Sequence, residues 1–182
     1  MKKLFTLCLI FVFGISLNAK GPFQLDKSDL NIGIGIGSTL YGTETIPPIS
    51  ASYEIGFPWE KNDFTKNMSV GGYLGFSQTT YDWFYGEWSY TYIIIGARAT
   101  YHFYNEGNMD AYGGLMLGYN IVSSSYTSKT GYEDYTSSSK ASSGLEFSAY
   151  LGGRYYFSEN FGIFGEIGYG IAYLNLGLTI KI

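Results

Sequence analysis

Residues 161–182, FGIFGEIGYGIAYLNLGLTIKI, alternate between apolar side chains and small or polar ones. In residues 174–182 the apolar members are Leu174, Leu176, Leu178, Ile180 and Ile182, and the others are Asn175, Gly177, Thr179 and Lys181. Successive side chains of a β-strand point to opposite faces of the sheet. The stretch therefore predicts a terminal strand with one aliphatic face and one polar face.

The same alternation recurs along the chain and predicts eight strands, at about residues 29–38, 49–57, 68–79, 89–103, 111–121, 145–157, 161–169 and 174–182. An even number of antiparallel strands of about ten residues is typical of transmembrane barrels. Lipid offers no hydrogen-bond partner to an open sheet edge, so we expect the last strand to pair with the first. The predicted fold class is all-β, an eight-stranded antiparallel up-and-down transmembrane β-barrel.

The start of the chain predicts export. Two lysines precede an apolar run at residues 4–15, and Ala19 supplies a small residue for cleavage, which is the pattern of a secretory signal peptide. The run is shorter than the roughly 20 residues that a spanning helix needs. We therefore expect a signal peptide at 1–19, a short N-terminal segment at 20–28 and an outer-membrane barrel domain at 29–182.

Composition limits the function classes. Of 182 residues 19% are aromatic and only 14% are charged, which is unlike a disordered chain or an ordinary helical domain. Without Lys2 and Lys3 of the signal peptide, 9 basic residues stand against 15 acidic ones, a formal charge of −6. We therefore expect no nucleic-acid partner. Cys8 is the only cysteine and lies in the signal peptide, so we expect neither a lipid anchor nor a disulfide in the mature chain.

Six charged residues lie on the face opposite the aliphatic one: Glu54, Arg98, Glu146, Arg154, Glu166 and Lys181. In a membrane barrel this face lines the lumen, and eight strands leave an interior just wide enough for side chains to fill. Buried charges are tolerated when they are paired and hydrogen-bonded. The sequence therefore predicts a lumen charge network in which the three glutamates hold both arginines.

Both termini of an even-stranded barrel lie on one side, which we expect to be the periplasm. External connections are then predicted at 39–48, 80–88, 123–144 and 170–172, and periplasmic ones at 58–67, 104–110 and 158–160. The stretch TYDWFYGEW at 80–88 supplies candidates for contact with a ligand or surface, namely Tyr81, Trp83, Phe84, Tyr85 and Trp88. The polar third external connection alternates in part, which favours some strand extension above the membrane.

The signal peptide, the eight alternating strands, the strand ends ATYHFY at 99–104 and GGRYYFSEN at 152–160, and the terminal GYGIAYLNLGLTIKI resemble a known class of proteins. These are small eight-stranded outer-membrane β-barrel proteins of the OmpA transmembrane-domain and OmpX type. The resemblance covers about residues 29–182. It implies residence in the outer membrane of a Gram-negative-type bacterium, contact with outer-membrane lipid, and recognition of the terminal strand by the barrel-assembly machinery.

Other conspicuous features have structural interpretations. The GIGIG at 33–37 lies within a strand and lacks the spacing of a phosphate-binding loop, so we interpret its glycines as lumen-facing. His102, the only histidine, lies near the periplasmic end of its strand, away from the external rim where barrel enzymes act, so we predict no catalytic residue. Neither cysteine nor paired histidine supports a metal site, and we expect no metal and no cofactor. Interfacial girdles account for other aromatic residues, with Tyr119 and Tyr169 near the external rim and Tyr101, Phe103, Phe157 and Phe161 near the periplasmic one.

Three functions remain open at this stage. We prefer a non-enzymatic outer-membrane barrel with a side-chain-filled lumen and a structural or surface-interaction role through its external loops. The alternative is a small channel or a transporter for small or lipophilic molecules, and an outer-membrane enzyme comes third. A filled lumen gives no steady open channel, so a conductance measurement separates the first two.

Overall fold

The computed structural model describes residues 22–38, 43–57, 62–84, 86–128, 137–140 and 143–182. These ranges contain nine strands: β1 Ser28–Ser38, β2 Thr43–Gly56, β3 Met68–Trp83, β4 Gly86–Glu106, β5 Met109–Ser128, β6 Ser137–Lys140, β7 Gly144–Tyr156, β8 Phe161–Gly168 and β9 Ala172–Lys181. A short 3-10 helix, Thr65–Asn67, precedes β3. In the described part of the chain no helix is long and apolar enough to cross a membrane. The predicted signal peptide at 1–19 lies outside the described residues.

Eight of the strands close an antiparallel barrel in the order β1, β2, β3, β4, β5, β7, β8, β9. The closing ladder joins β1 to β9, from Asp29 opposite Lys181 to Ser38 opposite Ala172. The predicted all-β, eight-stranded up-and-down barrel is therefore confirmed, and so is the pairing of the last strand with the first. β1 begins and β9 ends at one end of the barrel, which we call the terminal end, and the other is the loop end.

The barrel wall is apolar outside and polar inside, as the period of two requires. Outward aliphatic side chains are half exposed, with Ile32 of β1 at 50% and Leu178 of β9 at 47%. Inward side chains of the same strands are buried, with Asn31 at 1% and Thr179 at 0%. A soluble barrel has the opposite distribution, because its apolar residues fill the interior.

At the loop end, two strands extend beyond their predicted ends. β3 continues to Trp83, which pairs with Gly86 at the start of β4, so residues 80–83 and 86–88 are paired strand rather than loop. The prediction of an external loop at 80–88 is wrong. Strands were recognised in the sequence by an apolar outward face, and the outward face of these two strands becomes polar beyond the rim. Its outward positions are Gln78, Thr80, Asp82, Glu87, Ser89 and Thr91.

The third external connection also contains strand, as its alternation predicted. β5 runs to Ser128, and the short β6 pairs with residues 123–126 of β5. β7 pairs with β5 only up to Asn120, so β6 continues the line of β7 beyond the rim. At the first external connection β2 begins at Thr43 rather than at residue 49, with register shifts around its two prolines, because proline cannot donate to a ladder.

The connection predicted at 104–110 is shorter than expected. β4 runs to Glu106 and β5 begins at Met109, which leaves a two-residue turn. Gly107 has a φ of 58° in this turn, a left-handed conformation that glycine adopts without steric cost. Asp110, predicted to lie in a loop, is therefore a buried strand residue of the lumen.

Candidate functional site

Arg154 of β7 lies in the lumen, where its guanidinium contacts three other strands. Its Nη2 donates to Glu54 Oε2 at 2.8 Å, its Nη1 to Asp110 Oδ2 at 3.0 Å and its Nε to Asn31 Oδ1 at 3.2 Å. The guanidinium carbon also lies 4.2 Å from the centroid of the Tyr112 ring. Nε, Nη1 and Nη2 thus each donate to an acceptor, which is the arrangement that a fully buried cation requires.

Arg98 of β4 forms the second half of the same network. Its Nη2 donates to Glu166 Oε1 at 2.7 Å and lies 3.4 Å from Glu54 Oε1. The guanidinium carbon is 3.8 Å from the centroid of the Tyr150 ring. Glu54 therefore joins the two arginines, and we call the connected set the lumen cluster: Glu54, Arg98, Asp110, Arg154 and Glu166.

A glycine gives the lumen cluster part of its space. A β-carbon at Gly152 of β7 would lie 2.7 Å from the Glu166 side chain and 2.8 Å from the Tyr112 ring. Because glycine has no β-carbon, Tyr112 and Glu166 can both pack against this position, and Tyr112 Oη donates to Glu166 Oε1 at 2.8 Å. The inward glycines that the alternation indicated therefore have a packing role at this position.

The structure brings together four of the six charged residues predicted for the lumen: Glu54, Arg98, Arg154 and Glu166. Lys181 lies apart at the terminal end, where its Nζ donates to the carbonyl oxygen of Pro22 and is 4.2 Å from the centroid of the Tyr156 ring. Glu146 is half-buried on the inward face of β7, and none of the ion pairs among the described residues includes it.

Ser69, His102 and Asp110 form a hydrogen-bonded chain at the terminal end of the lumen. His102 Nε2 is 3.0 Å from Ser69 Oγ, and His102 Nδ1 is 2.7 Å from Asp110 Oδ1. The order of groups is that of a hydrolytic triad, but all three residues are buried and Phe23 stacks on the imidazole with 3.7 Å between ring centroids. Ser69 Oγ also donates to Glu54 Oε2 at 3.3 Å. These contacts make the chain an extension of the lumen cluster that a substrate cannot reach in this arrangement.

Sequence reasoning missed two acidic residues of the lumen, Asp29 and Asp110. Tyr156 Oη donates to Asp29 Oδ1 at 2.5 Å, and Asp110 binds Arg154 as described above. The signal was present, because each aspartate lies two residues before an inward side chain on the same strand. Both were overlooked because they were placed at a strand start or in a connection.

Packed side chains occupy both ends of the lumen. At the terminal end Phe23 N donates to Asn105 Oδ1 at 2.8 Å, and Asn105 Nδ2 donates to Phe23 O at 2.9 Å, so one amide side chain holds the N-terminal segment across the opening. At the loop end the buried apolar side chains are Tyr73, Ile94, Met116, Ile171 and Ala172. Ile171 is fully buried although it lies in the tight connection between β8 and β9.

A cavity of about 20 Å³ is lined by residues of both groups, among them Tyr73 of the apolar group and Arg98 and Glu166 of the lumen cluster. That volume holds about one water molecule, since roughly 10–15 Å³ suffices for one. Within the described ranges no group of three His, Cys, Asp or Glu side chains has the geometry to hold a metal ion.

Aromatic side chains form a row on the inward face of the strands that extend beyond the loop end. Trp88 of β4 pairs with Tyr81 of β3 and with Tyr126 of β5. Ring centroids are 5.0 Å apart for Trp88 and Tyr126, 6.3 Å for Trp88 and Tyr90, and 6.5 Å for Tyr90 and Tyr92. We call these five residues the aromatic row.

Two of the five predicted contact residues, Tyr81 and Trp88, belong to the aromatic row. Phe84 lies at the hairpin connection and is 87% exposed, whereas the Trp83 side chain and Tyr85 lie outside the described structure. Tyr90 and Tyr92 were missed because residues 89–103 were assigned to a membrane-spanning strand, and Tyr126 was missed because it lies in the connection predicted at 123–144. For Tyr90 and Tyr92 the available signal was their spacing of two residues from Trp88 in EWSYTY, residues 87–92.

Solved structures similar to this chain are small β-barrels. Ail, the attachment invasion locus protein of Yersinia pestis, solved in complex with the heparin analogue sucrose octasulfate, is 15% identical over 90% of this chain and 96% of that chain, with a TM-score of 0.49. The N-terminal β-barrel domain of Pseudomonas aeruginosa OprF is 16% identical over 87% and 98%, with a TM-score of 0.48. Neisserial surface protein A is 16% identical over 86% and 94%, with a TM-score of 0.46.

No protein-family model matches the chain, and no curated protein matches it. The three structures are small eight-stranded outer-membrane β-barrels, the class that the sequence resembles, and the likeness is one of fold.

Proposed function

We propose that the chain is a non-enzymatic integral β-barrel of the outer membrane of a Gram-negative-type bacterium, with a structural or surface-contact role. The observation that carries this proposal is the wall: a band of exposed aliphatic side chains surrounds an interior of buried, mutually paired charges. Water would disfavour such a band, whereas hydrocarbon accommodates it. Outer-membrane lipid is accordingly the partner of the wall, and β9 is the strand proposed to contact the barrel-assembly machinery.

The contacts inside the barrel support a lumen filled by its own side chains. The apolar group at the loop end, the lumen cluster and Phe23 at the terminal end follow one another along the axis. The cavity lined by the apolar group and the lumen cluster has room for about one water molecule, so it is too small for a solute. The barrel is therefore proposed to be closed to solutes rather than to act as a channel or transporter.

Conductance in a planar bilayer tests this closure. The inserted protein, identified by a gel mobility that differs between unheated and heated samples, is expected to give no steady single-channel current. A steady current from the same preparation would contradict the filled lumen and support the alternative, a small channel or transporter.

The non-enzymatic part of the proposal rests on access. The one Ser–His–Asp chain among the described residues is buried beneath Phe23 and held by Glu54. An ester-hydrolysis assay with detergent-solubilised protein is expected to give the same rate for the natural chain and for Ser69→Ala. A rate that falls in the variant while its gel mobility is unchanged would favour an enzyme.

For the surface-contact role we propose the aromatic row as the contact. Its rings lie on β-strands rather than on loops, and Tyr81 and Trp88 remain more than a third exposed. Large aromatic side chains on a rigid support provide much contact area at little cost in conformational entropy. A partner is expected to bury these two rings.

Adhesion of cells that display the protein tests this contact. The change is Trp88→Ala with Tyr126→Ala, and the matched control is Thr91→Ala with Thr127→Ala on the outward face of the same two strands. We expect adhesion to fall only in the aromatic variant, with both variants inserted equally. Equal adhesion of the two variants would contradict the role of the aromatic row and leave the barrel unaffected.

A further inference from the structure

The connection between β2 and β3 contains a short, internally bonded turn at residues 62–67. Thr65 N donates to Asn62 Oδ1 at 3.0 Å, and Thr65 Oγ1 donates to Asn62 O at 3.0 Å. Asn67 N donates to Phe64 O at 3.2 Å and thereby closes the 3-10 turn. These bonds hold the backbone on both sides of Phe64 in one conformation.

The turn lies against the outside of the barrel rather than beneath its opening. The Phe64 ring stacks on Tyr101 of β4, with centroids 5.0 Å apart and an angle of 19° between the ring planes. Tyr101 is on the outward face, because it has the same parity as the exposed Ile95 and Phe103 of its strand. One face of the Phe64 ring is thus against the wall.

The other face of the ring remains open, and Phe64 is 58% exposed. Single exposed apolar residues are common on soluble surfaces, but this ring continues an aromatic belt at the terminal end. Phe103, Tyr104, Phe157 and Phe161 are outward and exposed there. Belts of this kind mark the level of the lipid headgroups in membrane barrels.

We infer that residues 62–67 form an interfacial foot, in which Phe64 inserts between the lipids of the leaflet at the terminal end. This inference rests on the proposed membrane location of the wall. The partner is the glycerol and upper acyl region of phospholipid, because an aromatic ring with one stacked face and one open face has apolar surface to bury there. The flanking Asp63 and Lys66 are exposed and paired with each other at 3.3 Å, so they remain at the level of the headgroups.

Tryptophan fluorescence with brominated phospholipids tests the foot. The background chain has Trp59, Trp83 and Trp88 replaced by Phe, and single reporters are then introduced as Phe64→Trp, Leu178→Trp or Phe84→Trp. Leu178 reports on the wall, and Phe84 reports on a site projecting from the loop end. In vesicles of phosphatidylcholine brominated near the top of the acyl chain, the reporter at 64 is expected to emit at shorter wavelength than the one at 84 and to be quenched.

Quenching at 178 without quenching at 64 would overturn the foot and leave the membrane barrel intact. An absence of quenching at both positions would contradict the proposed membrane location itself. Adding Asn62→Ala to the Phe64→Trp chain is expected to reduce quenching at 64, because Thr65 N loses its hydrogen bond to Asn62 Oδ1. Unchanged quenching would show that this bond does not place the ring.

A second measurement uses the unchanged sequence in lipid nanodiscs. Nuclear Overhauser contacts of the Phe64 ring protons are expected with lipid acyl and glycerol protons. Contacts with water alone would overturn the inference even if the tryptophan variants failed to fold.

Discussion

Replacing Arg154 with Met should destabilise the folded barrel, because it removes the cation that holds two buried carboxylates. Glu54 and Asp110 lose hydrogen bonds of 2.8 and 3.0 Å, and both remain buried. Removal of one partner from a buried ion pair costs about 3–5 kcal/mol. We expect the low end, about 3 kcal/mol, because each of the two carboxylates keeps another polar side chain as a partner.

These remaining contacts are visible in the structure. Glu54 Oε1 stays 3.4 Å from Arg98 Nη2, and Asp110 Oδ1 stays 2.7 Å from His102 Nδ1. Adding Glu54→Gln to the Arg154→Met variant removes one of the two carboxylates that lost their cation. The double variant should therefore recover about 1–2 kcal/mol relative to Arg154→Met alone, within the range of coupling energies between contacting residues.

Equilibrium unfolding in urea measures both effects, with the protein in lipid vesicles and folding followed by gel mobility and circular dichroism. Arg154→Lys keeps one charge but loses the two-pronged contact, so its free energy of unfolding should lie between those of the natural chain and Arg154→Met. If Arg154→Met unfolds at the same urea concentration as the natural chain, or if Glu54→Gln adds to its loss without recovery, the lumen cluster does not stabilise the barrel as described.

Lys181→Met should lower the free energy of unfolding by about 1 kcal/mol, less than the change at Arg154, because the ammonium contacts a carbonyl and the Tyr156 ring rather than a buried carboxylate. The same urea titration measures this loss, and a larger loss than at Arg154 would contradict the ranking. Gly107→Ala should cost about 1–2 kcal/mol, because a φ of 58° is unfavourable for residues with a β-carbon; an unchanged midpoint would refute that conformation. Phe23→Ala should raise amide hydrogen exchange in residues 23–27 without changing exchange in the β1–β9 ladder. The same protection of residues 23–27 in the variant as in the natural chain would show that stacking on His102 does not hold the segment.

The period of two predicted the barrel because lipid on one side and a filled interior on the other enforce it along most of each strand. It failed beyond the loop end, where neither constraint applies to the outward face. From Gln78 to Asp82 the outward side chains are polar, so strands there resemble loops in a search for apolar alternation. The aromatic row was therefore divided among two predicted loops and a predicted membrane strand.

The lumen cluster could be predicted only in part. Charge and parity placed Glu54 and Arg154 on the inner face, but they are 100 residues apart and bond across the lumen rather than along a ladder. Strand period decides which face a side chain occupies and leaves its partner across the barrel undetermined. The burial of Ile171 was missed for a similar reason, because a tight turn has no period from which inward packing can be inferred.

A single charge placed on the aliphatic outer wall tests most directly whether that wall faces hydrocarbon. Leu178 is outward in β9, between Ile32 of β1 and Ile163 of β8. The inward neighbour Thr179 is a poor control, because it is fully buried against Tyr156 with 3.2 Å between the two hydroxyl oxygens. Thr127, exposed on β5 beyond the rim, is the matched outward control.

An arginine near the middle of the bilayer costs about 2–4 kcal/mol on the lipid face of a barrel and about 0–1 near the interface. The decisive measurement is the membrane-inserted, heat-modifiable fraction of Leu178→Arg and Thr127→Arg, prepared in the same vesicles. We expect a reduced inserted fraction for Leu178→Arg and the same inserted fraction as the natural chain for Thr127→Arg. Equal insertion of the two variants would show that the outer wall of β9 does not face hydrocarbon.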